Sequence, residues 1–520
     1  MCEGVGEAKH LKICHDPGGL DGVANRNLGR RILAWSSIGF WLVMIGLLIQ
    51  REHVTSSFPP YVELAPALSL EPGETIDAEE TWMGIYFQDS KVGWLHHTCE
   101  PENGGYVVRE ESLTHLQMMD TPQKIWVTTI CRTDNAFALT SFSFRMRSDV
   151  ASMEVLGEVE GKTVNLKIDS AGKTQEKVLR LRRPPHLFLN LRPYLVSEGL
   201  ETGKSFRVPV ILPSTLSQAD AVLTVEGEEQ IRIDGENREA FRIQVSYAGM
   251  EATSWYDREG RVLKEVSPMG LTMVREAAGQ ARRGLLKGDE AVDITASTMV
   301  SVNRRLPDPT GLRYLRVLLE GIDPAGFEIE GGRQRLQGAS LEIVKEDVAS
   351  LPKLSIPVGD DALAGFLEAT PFLQSDDESI RQLAREVVGQ EKDAAAVARR
   401  LMDWVYENLE KRPTVSLPSA LEVLEDRAGD CNEHAALMAA LARAAGLPAR
   451  LVVGVVYTGK GFFYHAWNEV WVGGWVSLDP VMAQFPADAT HVKFIDGGLE
   501  EQMRMAQVIG RLSMEILEYQ

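Results

Sequence analysis

A thiol, an imidazole and a carboxylate occur in that order near the C-terminal end of this chain: Cys431, His465 and Asp479. A thiol becomes a nucleophile when an imidazole can take its proton, and the imidazole serves best when a third group fixes its tautomer and orientation. The chemistry implied is attack on a carboxamide or peptide carbonyl, followed by release of the acyl group to water or to an amine. Taken singly, a cysteine is a small apolar core residue, a histidine on a strand is structural, and Asp-Pro is a turn. Only the conjunction points to catalysis.

The elements that must position these groups follow from local sequence. Cys431 to Ala445 is a run of strong helix formers, with Leu437, Leu441 and Ala444 on one face. Asp430 stands where an N-cap belongs, and Gly446-Leu447-Pro448 ends the helix. Cys431 therefore falls in the first turn, where the helix dipole favours thiolate. Leu451 to Tyr457 reads as a strand buried on both faces. Phe462 to Val472 is a second strand, Gly473-Gly474 a tight hairpin, and Trp475 to Leu478 a third. His465 then lies on one strand and Asp479 at the end of its antiparallel partner, side by side.

The blocks G-D-C-x-E-H-A, A-x-A-x-G-L-P-A-R, H-A-W-x-E-V and W-x-x-L-D-P occur in this order. They resemble the core of the transglutaminase-like superfamily, which shares its catalytic logic with papain-like proteases. The resemblance covers roughly Ser379 to Pro480. It implies Cys431 as nucleophile, His465 as general base and acid, and Asp479 as orienter. Members cross-link or modify proteins at glutamine, or hydrolyse amide bonds, so a protein or peptide substrate is expected. Eukaryotic cross-linking members carry an upstream tryptophan for oxyanion stabilisation. The nearest candidate, Trp404, sits in an amphipathic helix and reads as core, which leaves the Cys431 backbone N–H as the first oxyanion donor and the second unassigned. No acidic loop suited to calcium is present, and the scheme requires no metal or organic cofactor. Trp467 is expected to wall the cleft and Glu433 to hold the loop before the helix by hydrogen bonding. His434, one turn after Cys431, is a candidate pocket residue that reads better as surface or packing.

The 520 residues allow about three domains. A hydrophobic fraction of 44% with 25% charged residues excludes wholesale disorder. A net charge of −20 argues against nucleic acid as a partner and against the soluble part lying on an anionic membrane. The 5 cysteines show neither a CxxC pair nor zinc spacing. Cys99 and Cys131 fall in a β-rich region, where a disulfide and two separately buried thiols are both open.

Taken in order, residues 1–31 read as a cytoplasmic tail. Ile32–Ile49 is an uncharged run long enough to span a bilayer, preceded by Arg26, Arg30 and Arg31. It is expected to be a transmembrane signal anchor with everything after it extracytoplasmic, in a periplasm or on a cell surface. Residues 50–80 are a linker, 81–276 an antiparallel β domain, 277–374 a small β domain and connector, and 375–520 the catalytic domain. The β domain is expected to be a spacer that docks a cell-envelope protein; a strongly curved sheet can instead cradle an apolar ligand or a peptide. The fold class expected is α+β: an N-terminal transmembrane helix, an antiparallel β-rich N-terminal region and a C-terminal transglutaminase-like (papain-like) core. The function expected is a membrane-anchored thiol enzyme acting on peptide or amide bonds. The alternative is a non-catalytic binding or structural protein of the envelope.

Overall fold

Strands in the N-terminal half bury every second side chain. Ser152–Glu160 does so through Met153 and Val155, with Gly157 buried at the next position, and this period of two leaves one face of a sheet apolar. The computed structural model describes residues 61–70, 75–118, 121–149, 152–170, 173–267, 269–285, 298–413, 419–498, 502, 504–505 and 508–520. Fifteen strands form one sheet. Glu79–Phe87 through Lys173–Arg180 follow one another as antiparallel neighbours, and so do Ser205–Leu212 through Leu271–Arg275. The two runs join where Leu271–Arg275 pairs with Glu79–Phe87, with Met273 opposite Ile85. Val62–Glu63 adds at an edge as a parallel partner of Ser205–Leu212.

The segment between the runs carries a short helix, Arg192–Glu198. Leu187, Leu191, Tyr194 and Leu195 from this segment pack into the apolar core of the sheet with Phe137, Phe206 and Ile243. The Tyr194 hydroxyl donates to the Phe137 carbonyl at 2.7 Å.

Cys99 and Cys131 are both buried and free. The register explains why. Val108 is opposite Cys99 on one side and opposite Cys131 on the other. The two cysteines therefore sit two strands apart, roughly 9–10 Å between Cα atoms, beyond the span a disulfide can bridge.

The C-terminal half is layered. Four helices, α1 (Glu378–Val388), α2 (Ala394–Asn408), α3 (Ala420–Asp426) and α4 (Cys431–Ala444), precede the strands β1 (Ala449–Tyr457), β2 (Phe462–Trp471), β3 (Trp475–Leu478) and β4 (Val492–Asp496). These strands form an antiparallel sheet in the order β3-β2-β1-β4. A second four-stranded sheet places Tyr314–Glu320 between Ser340–Val344 and β5 (Ser513–Tyr519), with Gln334–Gln337 at its edge. Both sheets and all four helices contribute to one apolar core. Asp377 and Asp393 cap α1 and α2, accepting from Ser379 N–H and Ala396 N–H at 2.9 Å each.

The expected fold class requires correction. The molecule is β-rich, dominated by the large antiparallel sheet. Among the described residues no helix is long and apolar enough to cross a membrane. The longest, α2, has 15 residues and an exposed polar face, short of the roughly 20 apolar residues a bilayer requires. The segment 32–49 lies outside the described residues. No described helix supports the single-pass anchor, or the extracytoplasmic placement that followed from it.

Candidate active site

Helix α4 begins at Cys431, and its first turn is closed reciprocally. Asp430 Oδ1 accepts from the Asn432 N–H at 2.8 Å, and Glu433 Oε2 accepts from the Asp430 N–H at 2.9 Å. This capping box satisfies donors that a helix start leaves orphaned. The turn needs glycine at 429, because a Cβ there would run into the Cβ of Glu433. The Leu447 N–H ends the helix by donating back to the Ala442 carbonyl at 2.9 Å.

Residues 433 to 442 of α4 are all buried. Alanine at 435, 436, 439, 440 and 442 makes this possible, since small side chains let α1, α2, α3, β1 and β2 approach from several sides. Asn468 on β2 ties the sheet to this helix: its Nδ2 donates to the Ala435 carbonyl at 2.9 Å. His434 is fully buried, and its Nδ1 lies 2.7 Å from the Asp430 carbonyl. It is a packing residue within the helix, away from the surface.

His465 sits on β2 opposite Gly454 of β1, and Asp479 follows the last residue of β3. The hairpin brings His465 Nε2 to 2.8 Å from Asp479 Oδ2. With Nε2–H donating to the carboxylate, Nδ1 is the nitrogen left to act as base. Asp479 Oδ1 accepts from the Val481 and Met482 N–H groups at 2.7 and 3.1 Å. Its Oδ2 takes a second imidazole, His491 Nε2, at 2.9 Å, and His491 Nδ1 lies 3.3 Å from Asp488 Oδ1. Burial alone would raise the Asp479 carboxyl, but His465 and His491 together hold it well below the usual carboxylate range. Burial opposes charge on His491, yet the hydrogen bonds to Asp479 and Asp488 raise it. Asp488, despite burial, is lowered to about 2, chiefly by His491.

The Cys431 thiol is pushed up by burial and then by the Asp430 charge. A hydrogen bond from the Ala466 N–H, on the residue next to His465, acts in the opposite direction. The helix-dipole expectation of a resting thiolate is thus outweighed: desolvation disfavours the charged sulfur more than the first turn favours it.

Trp467 is buried beside His465, with ring centroids 6.1 Å apart and planes inclined by 20°. It also meets His491 edge-on at 5.3 Å, so it backs both imidazoles. Glycine at 454 leaves room for this ring, since a Cβ there would strike the Val492 carbonyl and come within 2.9 Å of Trp467 Cη2. Trp404 is partly buried against the core, with the Arg427 guanidinium 4.6 Å over its ring.

The donor atoms of His465, Asp479 and His491 lie within 4.8 Å of one another, a spacing that could hold a metal ion. Both imidazole nitrogens also stand at hydrogen-bond distance from one Asp479 oxygen. His491 and Asp488 carry no signal in the sequence that marks them for this role. His491 is one residue ahead of a short strand, and only the antiparallel pairing of β4 with β1 brings it to Asp479.

Residues 381–480 match the model of the Transglutaminase-like superfamily. That stretch is transglutaminase-like, which supports a thiol enzyme at the family level. No curated protein matches the chain. Among solved structures, a candidate cysteine protease from Cytophaga hutchinsonii is 19% identical over 40% of this chain and 85% of its own, with a TM-score of 0.27. A β-barrel-like protein of a domain of unknown function from Brucella abortus is 10% identical over 38% of this chain and 94% of its own, with a TM-score of 0.31. A candidate protease from Parabacteroides distasonis is 10% identical over 72% of this chain and 70% of its own, with a TM-score of 0.19. Likenesses at these TM-scores carry no argument about this chain.

Proposed function

We propose that the C-terminal domain is a thiol catalyst acting on peptide or amide bonds of a protein or peptide substrate. The observation that carries this reading is the buried contact of 2.8 Å between His465 Nε2 and Asp479 Oδ2, with the Cys431 sulfur held by the N–H of the residue next to that histidine. The thiol rests in its neutral form. As the sulfur attacks the carbonyl carbon, its proton passes to His465 Nδ1, and Asp479 stabilises the imidazolium that forms. The Cys431 N–H, at the start of α4, supports the oxyanion. His465 then returns the proton to the departing amine, leaving a thioester on Cys431. Water or an incoming amine, deprotonated in turn by His465, takes the acyl group and restores the thiol. Glu433 and Trp467 act indirectly, by fixing the first turn of α4 and the plane of the imidazole.

A second reading, a non-catalytic binding protein, is favoured by one observation: burial and Asp430 disfavour a charged sulfur. The two separate on exposure of the full chain to p-nitrophenyl acetate at neutral pH, with peptide mapping by mass spectrometry. A catalyst gives an acetyl adduct on Cys431 that vanishes in Cys431→Ala and clears faster when a primary amine is added. An unmodified Cys431 in the unaltered chain supports the binding protein.

A further inference from the structure

The N-terminal sheet lines an open cavity of about 390 Å³. Its wall draws on both runs of strands, with Met83 and Leu95 from the first and Leu223 and Val245 from the second, while Phe188 and Leu189 come from the segment between the runs. A space of this size falls in the range of small-molecule sites, roughly 300–1,000 Å³.

The polar groups on the wall are unevenly matched. Arg192 is paired with Glu79 at 2.8 Å, and Arg261 with Asp257 and Glu259 at 2.8 and 2.9 Å. His97 faces Glu110 at 3.8 Å. Glu265 differs: the Ser254 hydroxyl donates to its Oε2 at 3.0 Å, and no cation stands against it among the described residues. Burial, with Glu110 adding to it, raises this carboxyl to about 7. The cavity therefore combines an apolar wall with an acidic pole whose cations are already engaged elsewhere.

We propose that this cavity binds an amphipathic small molecule whose apolar body lies against the sheet and whose cationic amine meets Glu265. An anionic head would face Glu265 and Glu110 with both arginines committed, and a neutral head would leave the acidic pole uncompensated.

The test uses the full chain at pH 7 and displacement of the fluorescent probe N-phenyl-1-naphthylamine by dodecylamine, dodecanol and dodecanoate below their aggregation concentrations. Saturable displacement is expected, with dodecylamine bound about 10-fold tighter than dodecanol, as a hydrogen bond to a charged group would give, and dodecanoate weakest. Glu265→Gln should erase the advantage of the amine while leaving dodecanol binding in place. Ala252→Trp, which fills the cavity from its wall, should abolish displacement by all three. Absence of saturable displacement, dodecanoate binding as tightly as dodecylamine, or an amine preference that survives Glu265→Gln would each overturn the assignment.

Discussion

Two carboxyls, Asp479 fully buried and Glu265 partly buried, set the halves of this molecule apart. Asp479 in the C-terminal sheet accepts from two imidazoles and two backbone N–H groups. Glu265 in the N-terminal sheet accepts from one hydroxyl. Desolvation pushes both toward the neutral form, but the donors around Asp479 reverse it and the lone hydroxyl at Glu265 does not. The difference teaches what each region can do. A carboxylate held charged at every working pH can fix an imidazole and steady its positive form. A carboxyl balanced near neutrality on the wall of an apolar cavity answers to what enters it. Asp479 is matched by donors of its own fold, and Glu265 is left to be matched from outside.

The comparison breaks most severely at Asp479. Asp479→Asn keeps the shape but removes the charge and offers an N–H where His465 Nε2 expects an acceptor, so acylation of Cys431 should fall by about 10³-fold. Stopped-flow release of p-nitrophenol measures this, and a loss under tenfold would mean the carboxylate is not the orienter. Gly454→Ala should come next. Its Cβ would strike the Val492 carbonyl, which belongs to backbone and cannot swing aside; a loss of about 3 kcal/mol is expected in urea unfolding of the variant.

His491→Gln removes one of the two imidazoles on Asp479. Because His491 is raised in the folded state, its stabilising effect is complete below its unfolded value, about 6.5, and fades as pH rises through the higher folded value. The deficit of the variant should thus be larger at pH 5.5 than at pH 9, measured by denaturation midpoints. Because burial raises the thiol, iodoacetamide should alkylate Cys431 only at a higher pH than it alkylates an unfolded peptide bearing the same sequence. The smallest effect belongs to Glu265. Its raised carboxyl loses stability for the fold as pH climbs from about 4.5 to about 7, so Glu265→Gln should gain on the unaltered chain between pH 5 and pH 8. A flat difference would remove the contrast with Asp479.

Much of the C-terminal half was legible because its cues are local. Asp430 ahead of an alanine-rich run announced α4, and Gly473-Gly474 between two apolar runs announced the hairpin that joins His465 to Asp479. What stayed hidden depends on contacts between distant segments. Leu271–Arg275 pairs with Glu79–Phe87 across about 190 residues, and no local pattern names that partner. His491 meets Asp479 only through the place of β4 in its sheet. The state of the Cys431 thiol was misjudged for a related reason: the helix start is written in sequence, whereas the burial that outweighs it is a property of the packed whole. The apolar run at 32–49 satisfied a length criterion for a membrane span, a composition argument that no described element supports.

The central claim is that a neutral sulfur at 431 reacts because His465 takes its proton. The pre-steady-state burst of p-nitrophenol from p-nitrophenyl acetate at pH 7 tests it most directly, comparing the unaltered chain with His465→Ala. A burst of one equivalent, slowed by at least about 10²-fold in the variant, is the predicted result. Equal bursts in both proteins, or none in either, would contradict it.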